Sequence, residues 1–172
     1  MATVTQTTLL EEALEAWGDA RRGVVAELSN VTARDVDFRP APGARSVADL
    51  VRHVVETALM WSGELTNPKG DFTRKSFPAF IKHYAGQVGR NGTKTQLIRL
   101  LKATHRQGAR QISDAGEVAM LQQICRFDGV YGTRLTWMHH GIAHEEYHRA
   151  QLALYARLMG HTPALTKLIQ AG

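Results

Sequence analysis

An all-α fold, a four-helix bundle with long crossover connections, is what this 172-residue sequence predicts. Three observations carry that reading. Four long segments return their apolar residues at the helical period of about 3.6 residues. Capping signatures open two of them, and Gly and Pro stand where the last one stops. The period-two alternation of a half-buried strand is absent over any useful length. With 44% hydrophobic residues the chain reads as one globular domain, 1–172, large enough to bury about two-thirds of the surface its unfolded form exposes.

The first helix starts at Leu10. Ala13, Leu14, Trp17, Val24 and Leu28 share its apolar face, with acids and arginines between them. Arg39-Pro-Ala-Pro-Gly43 is a breaker cluster, because each proline fixes its own φ and biases the preceding residue away from the helix. Ser46 and Asp49 then form a capping pair for a second amphipathic helix built on Val47, Leu50, Val51, Val54, Val55, Ala58 and Leu59, with His53 toward the margin of its apolar face. Thr66 to Phe77 is rich in Pro, Gly, Lys and polar residues and reads as an irregular crossover, with at most a short helix around Pro78 to Gln87 and a close at Asn91-Gly92. Thr93 and Gln96 cap a third helix through Leu97, Leu101, Thr104, Gly108 and Ile112. In the stretch from Asp114 to Arg134, Phe127-Asp-Gly-Val-Tyr131 can turn a small hairpin. The fourth helix runs from about Thr133 to Met159, with Gly160 as its αL terminator and Pro163 as a stop.

Several function classes are excluded. The longest apolar runs fall well short of the roughly 20 residues of a membrane helix, so no span is expected. Met1 to Gln6 is small and polar with no apolar segment of a signal peptide behind it, which predicts a cytoplasmic protein. Cys125 is the only cysteine, so any metal must be held by nitrogen or oxygen. The net charge of +5 is dispersed over pairs such as Arg21-Arg22 and Arg74-Lys75 rather than gathered into a basic patch, and no nucleic-acid partner is expected.

The chemistry lies in histidines. His140, His144, His148 and Gln151 fall along one stripe of the fourth helix. His144 and His148 stand one turn apart, close enough for one ion at roughly 2.0 to 2.1 Å from each nitrogen. A third ligand must come from another helix, and His53 is the candidate. Three neutral imidazoles leave a divalent ion its full charge and open positions, the pattern of a catalytic site. A lone helical His is more often a surface or core residue, and His83, His105, His139 and His161, without partners at useful spacing, read that way. His140 remains open as a group supporting the ligands, an alternative ligand or a packed residue. His144-Glu-Glu-Tyr-His148 also satisfies the zinc-protease pattern H-E-x-x-H, but Glu146 is the last acid of the chain and position 151 is Gln, so the usual downstream ligand is missing.

Ser46-Val-Ala-Asp-Leu-Val-Arg-His53 together with His144-Glu-Glu-Tyr-His148-Arg-Ala-Gln151 and the run on to Pro163 resembles the DinB/YfiT-like family of metal-dependent enzymes. The resemblance implies an up-down-down-up bundle and a divalent metal, nickel or zinc, on His53, His144 and His148, with Arg149 and Gln151 as structural or supporting groups. Position 150 departs from it, Ala standing where the family usually has Gly. It further implies a small-molecule substrate and either hydrolysis or low-molecular-weight thiol transfer, of the kind run by thiol S-transferases and maleylpyruvate isomerases. A homodimer is expected too, with the Trp17 side of the first helix as a candidate contact, although Trp17 also suits the core. The competing class is a non-catalytic metal-binding stress-response protein. Imidazole suits zinc, nickel, copper and iron alike, so the residues by themselves leave the metal open.

Overall fold

In the computed structural model, residues 7–90 and 92–172 are described; the Met1 to Gln6 segment and Asn91 lie outside the described residues. The chain runs α1 (Leu9–Asn30), a 3-10 turn (Ala33–Asp37), α2 (Val47–Thr66), α3 (Phe77–Ala85), α4 (Lys94–Met120), β1 (Gln123–Cys125), β2 (Tyr131–Thr133), α5 (Arg134–Leu158) and α6 (Ala164–Ala171). The Thr8, Ser46 and Thr93 hydroxyls each accept from the backbone N–H three residues on, and Glu11, Asp49 and Gln96 return the bond, so three long helices begin on capping boxes. At the end of α5, Gly160 takes φ 82° and His161 N–H donates to the Ala156 carbonyl at 2.8 Å, a Schellman close. No described helix is long and apolar enough to cross a membrane.

Two elements, α4 and α6, differ from the sequence reading, while the hairpin read at Phe127 to Tyr131 forms. α4 continues past Ile112 to Met120, although Gly116 at φ 79° interrupts its regular geometry. The hairpin forms with Gln123 opposite Thr133 and Cys125 opposite Tyr131, and Gly129 at φ 78° supplies the left-handed residue of its turn. α6 was not foreseen beyond the Pro163 stop. It is held by buried Glu27, whose carboxylate accepts from the Ala164 and Leu165 N–H groups at 2.9 and 3.2 Å and so supplies the negative charge a helix start favours. The helical spacing of Leu165, Leu168 and Ile169 was its overlooked signal.

Contacts at the helix ends set the topology. Leu10 N–H donates to Glu117 while Lys94 donates to the Val31 carbonyl, so α1 and α4 are antiparallel. Trp17 meets Glu145 and Asn30 meets Thr162, so α1 and α5 are parallel. Arg134, in the first turn of α5, donates to the Leu65 and Asn67 carbonyls at the end of α2, and the Tyr155 hydroxyl reaches the Arg45 carbonyl, so α2 and α5 are antiparallel. The long helices therefore run up, down, down, up. α2 and α4 being parallel, the link between them must travel the length of the bundle, and α3 lies on it.

The core has two apolar clusters, one around Val24, Leu28, Val54, Leu101 and Leu152 and one around Trp17, Trp61, Leu65, Ile112 and Met138. Trp17 is fully buried, 4.5 Å from Trp61 by ring centroid, and its indole N–H donates to Glu145 at 2.7 Å. It therefore offers no face to a second copy, and the dimer contact expected there is not available. Arg21 grips Glu145 with two bonds, Nε to Oε2 at 2.8 Å and Nη2 to Oε1 at 2.5 Å. Its Nη1 also donates to the Leu101 carbonyl and the Thr104 hydroxyl, so one buried guanidinium ties α1, α4 and α5 together.

Two glycines let the helices approach. A methyl group at Gly108 would stand 2.6 Å from Trp17 Cη2, and one at Gly141 would stand 2.6 Å from Trp61 Cε2. Gly108→Ala and Gly141→Ala should each lower stability, because overpacking costs about 1–3 kcal/mol while alanine's better helix propensity returns up to about 1 kcal/mol. Thermal unfolding followed by circular dichroism should show midpoints several degrees down, at about 2–4 °C per kcal/mol. Gly132→Ala, with nothing within 4 Å of the added methyl, should leave the midpoint unchanged. Arg21→Met, which strands Glu145, should cost about 3–5 kcal/mol in denaturant titration, and Arg21→Met combined with Glu145→Leu should recover most of the loss. A single variant as stable as the parent contradicts this account of the pair.

Candidate metal centre

His53 stands in the second turn of α2, just after its capping box, and His144 and His148 stand one turn apart on α5, where Gly141 lets that helix close on α2. The antiparallel pairing brings all three imidazoles together. One ligand nitrogen of each lies within 4.8 Å of the others. His144 Nε2 is 3.2 Å from His53 Nε2 and 3.0 Å from His148 Nε2. Two nitrogens each roughly 2.0 to 2.1 Å from a tetrahedral ion would be about 3.3 Å apart, so the spacing suits a shared cation.

The neighbours fix which nitrogens carry lone pairs. Gln151 turns its NH2 to the Tyr147 hydroxyl, leaving Oε1 to accept from His148 Nδ1 at 2.7 Å. The Thr57 hydroxyl donates to the His53 carbonyl at 2.8 Å, so its oxygen is left to accept, loosely, from His144 Nδ1 at 3.5 Å. Both α5 imidazoles thus hold their proton on Nδ1 and aim an Nε2 lone pair at the same point. Lone pairs facing each other at 3.0 Å repel unless a positive charge lies between them, and the donor set fits a divalent cation.

Electrostatics keeps the rings neutral. Burial, then the nearby Arg45 guanidinium and the other two imidazoles, lower the His53 pKa to about 3. Burial, His148 and Arg45 bring His144 down to about 4. Burial also lowers His148, against an upward pull from the Gln151 hydrogen bond. At neutral pH no proton competes for the ligand nitrogens.

The other expected residues divide. Gln151 supports the cluster through His148. Arg149 does not: it pairs with Glu146 and lies across Gly23 of α1, away from the imidazoles. Ala150 is exposed, so its methyl has room. His140 is exposed, tilted against Trp137 with ring centroids 4.8 Å apart, and lines a cavity that His144 also borders. His83 and His139 are exposed, His105 packs on Trp17, and His161 meets Asp35 at 2.9 Å. Glu145, the would-be base of the protease pattern, is committed to Arg21 and Trp17 inside the bundle, so that chemistry has no base here. Thr57 and Arg45 were missed. Thr57 could have been found at i+4 from His53, whereas the approach of Arg45 to α5 depends on the fold.

A DinB-like protein from Bacillus subtilis superposes with a TM-score of 0.67 at 18% identity, over 88% of this chain and 93% of that one. YfiT from Bacillus subtilis, described as a probable metal-dependent hydrolase with an unusual four-helix bundle topology, gives 0.69 at 11% identity over 93% of each chain. A mycothiol-dependent maleylpyruvate isomerase gives 0.67 at 14% identity, over 86% of this chain and 63% of that one. At such identities the likeness is one of fold. No curated protein matches the chain. The DinB superfamily model matches residues 16–152, a span that holds the four long helices' shared core and all three clustered imidazoles, and the chain belongs to the DinB superfamily.

Proposed function

We propose that this protein is a metal-dependent enzyme in which His53, His144 and His148 hold one divalent ion, zinc or nickel, and that its small-molecule substrate is hydrolysed or joined to a low-molecular-weight thiol. The observation that carries the reading is the convergence of three neutral imidazoles whose tautomers are set from behind by Gln151 and Thr57. The fold is shared with a probable metal-dependent hydrolase and with a mycothiol-dependent enzyme, which supports the two reaction classes named. A cation on three neutral ligands supplies Lewis acidity, lowering the pKa of a water or a thiol. The chain's own residues orient and exclude: Gln151 and Thr57 hold the rings, Arg45 adds positive charge near the cluster, and the α2–α5 seam keeps bulk water from one side. A non-catalytic metal carrier would need no space for a substrate, and the cavity bordering His144 favours the enzyme.

Elemental analysis of protein purified without a histidine tag should find one metal per chain. His53→Ala, His144→Ala and His148→Ala should each remove it, and Gln151→Ala should weaken it about 10- to 100-fold, as for groups that orient ligands. His83→Ala should change nothing. Full metal retention in His53→Ala rejects the ligand assignment. Helical circular dichroism should survive chelation at neutral pH, since the two apolar clusters do not need the ion.

The pH dependence follows from the pKa shifts. Unfolded histidine titrates near 6.5, whereas His53 and His144 titrate near 3 and 4 in the metal-free fold. Between those values the unfolded chain takes up protons that the native state refuses. Stability of the metal-free protein should therefore be highest above pH 6.5 and fall steadily as pH drops toward 4, before most carboxylates titrate. Metal occupancy should fall in acid as well, since protons compete for the same nitrogens. A denaturation midpoint constant from pH 6.5 to 4.5 contradicts the shifts.

A further inference from the structure

Beside the imidazoles the α2–α5 seam opens into a cavity of about 250 Å³, bordered by Met60 and Trp61 of α2, Phe77 at the start of α3, Phe127 in the hairpin turn, and Trp137 and His144 of α5. Its lining is almost wholly apolar, with Thr57 and His140 as polar edges. Phe77 and Phe127 are 41% and 39% exposed, 5.9 Å apart by centroid, and stand at its mouth although a packed core lies directly behind them. Trp61 Nε1 is buried against Gly141 of α5, so the indole closes this side of the cavity as an apolar wall. A larger groove of about 420 Å³ between α1 and α4, around Arg22, Lys102 and Arg106, touches none of the clustered imidazoles.

Volume and lining decide what fits. An apolar cavity of about 150 Å³ takes benzene, and drug-sized ligands need roughly 300–1,000 Å³, so this space suits one ring on a short linker. We propose that the cavity receives an apolar single-ring group of the substrate while the reacting group lies at His53, His144 and His148, with Phe77, Phe127 and Trp137 selecting the ring and Trp61 closing the wall behind it. This rests on the metal reading above. It makes the crossover and the hairpin, which supply Phe77 and Phe127, the specificity elements of the protein.

The test uses the zinc-loaded protein and two probes, acetohydroxamate and phenylacetohydroxamate, which share a metal-binding head and differ by a benzene ring. Calorimetry should give the phenyl probe about 10- to 100-fold tighter binding, the value of burying a ring. Phe77→Ala and Phe127→Ala, at partly exposed positions that leave the core intact, should remove most of that preference without changing acetohydroxamate affinity. Fluorotoluene, followed by fluorine NMR in chelator-treated protein, should still bind the cavity and should be displaced by the phenyl probe. Equal hydroxamate affinities in a protein that holds stoichiometric zinc overturn the ring subsite and leave the metal centre standing. Failure to hold zinc overturns the metal reading, and fluorotoluene binding then reports on the cavity alone. A phenyl preference that survives both substitutions overturns the residues assigned to it.

Discussion

The pairing of Arg21 with Glu145 inside the bundle is the constraint on which the imidazole cluster depends, because it sets the rotation of α5 about its own axis. Burying two charges is expensive, and such a pair persists only where geometry and further hydrogen bonds satisfy it. Here the carboxylate also accepts from Trp17, and the guanidinium also donates to α4. Successive helical residues point about 100° apart, so with Glu145 held against α1 the preceding His144 must face α2. His148, one turn on, follows it. A small rotation of α5 would strand Glu145 and scatter the ligands at once.

Three imidazoles in a half-buried cluster resist protonation, as their lowered pKa values express, and so burden the metal-free fold in acid. The bundle tolerates them because two apolar clusters hold the helices together independently. The apolar clusters that supply stability are thus separate from the imidazole cluster. The tautomers chosen by Gln151 and Thr57 prepare the nitrogens before any cation arrives, which lowers the reorganisation that binding requires.

Parallel α2 and α4 oblige the chain to cross the bundle between them, and the crossing segment carries Phe77 to the edge of the site. The hairpin between α4 and α5 carries Phe127 to the same edge. Buried Glu64 steadies the crossover by accepting from Asp71 N–H, Arg74 and the Tyr84 hydroxyl, and a carboxylate so engaged titrates below its ordinary range despite its burial. Connections forced by topology thereby become walls of a cavity beside the imidazoles.

By itself the sequence determined what local physics controls. Periodicity and capping boxes at Ser46 and Thr93 located α2 and α4, the Gly160 stop closed α5, and the i, i+4 spacing of His144 and His148 is a property of any helix that contains them. His53 was legible as the candidate third ligand from its place on an early helix of a bundle, and the resemblance reinforced it, although nothing in its neighbours marks it. The tertiary structure decided the rest. It put Trp17 in the core, turned Arg149 away from the site, drew Glu145 into the ion pair and brought Thr57 and Arg45 to the cluster. These outcomes depend on how helices distant in sequence rotate and approach one another. That is governed by interior packing, by the close contacts Gly108 and Gly141 permit and by one buried ion pair, none of which is encoded within a single helical turn.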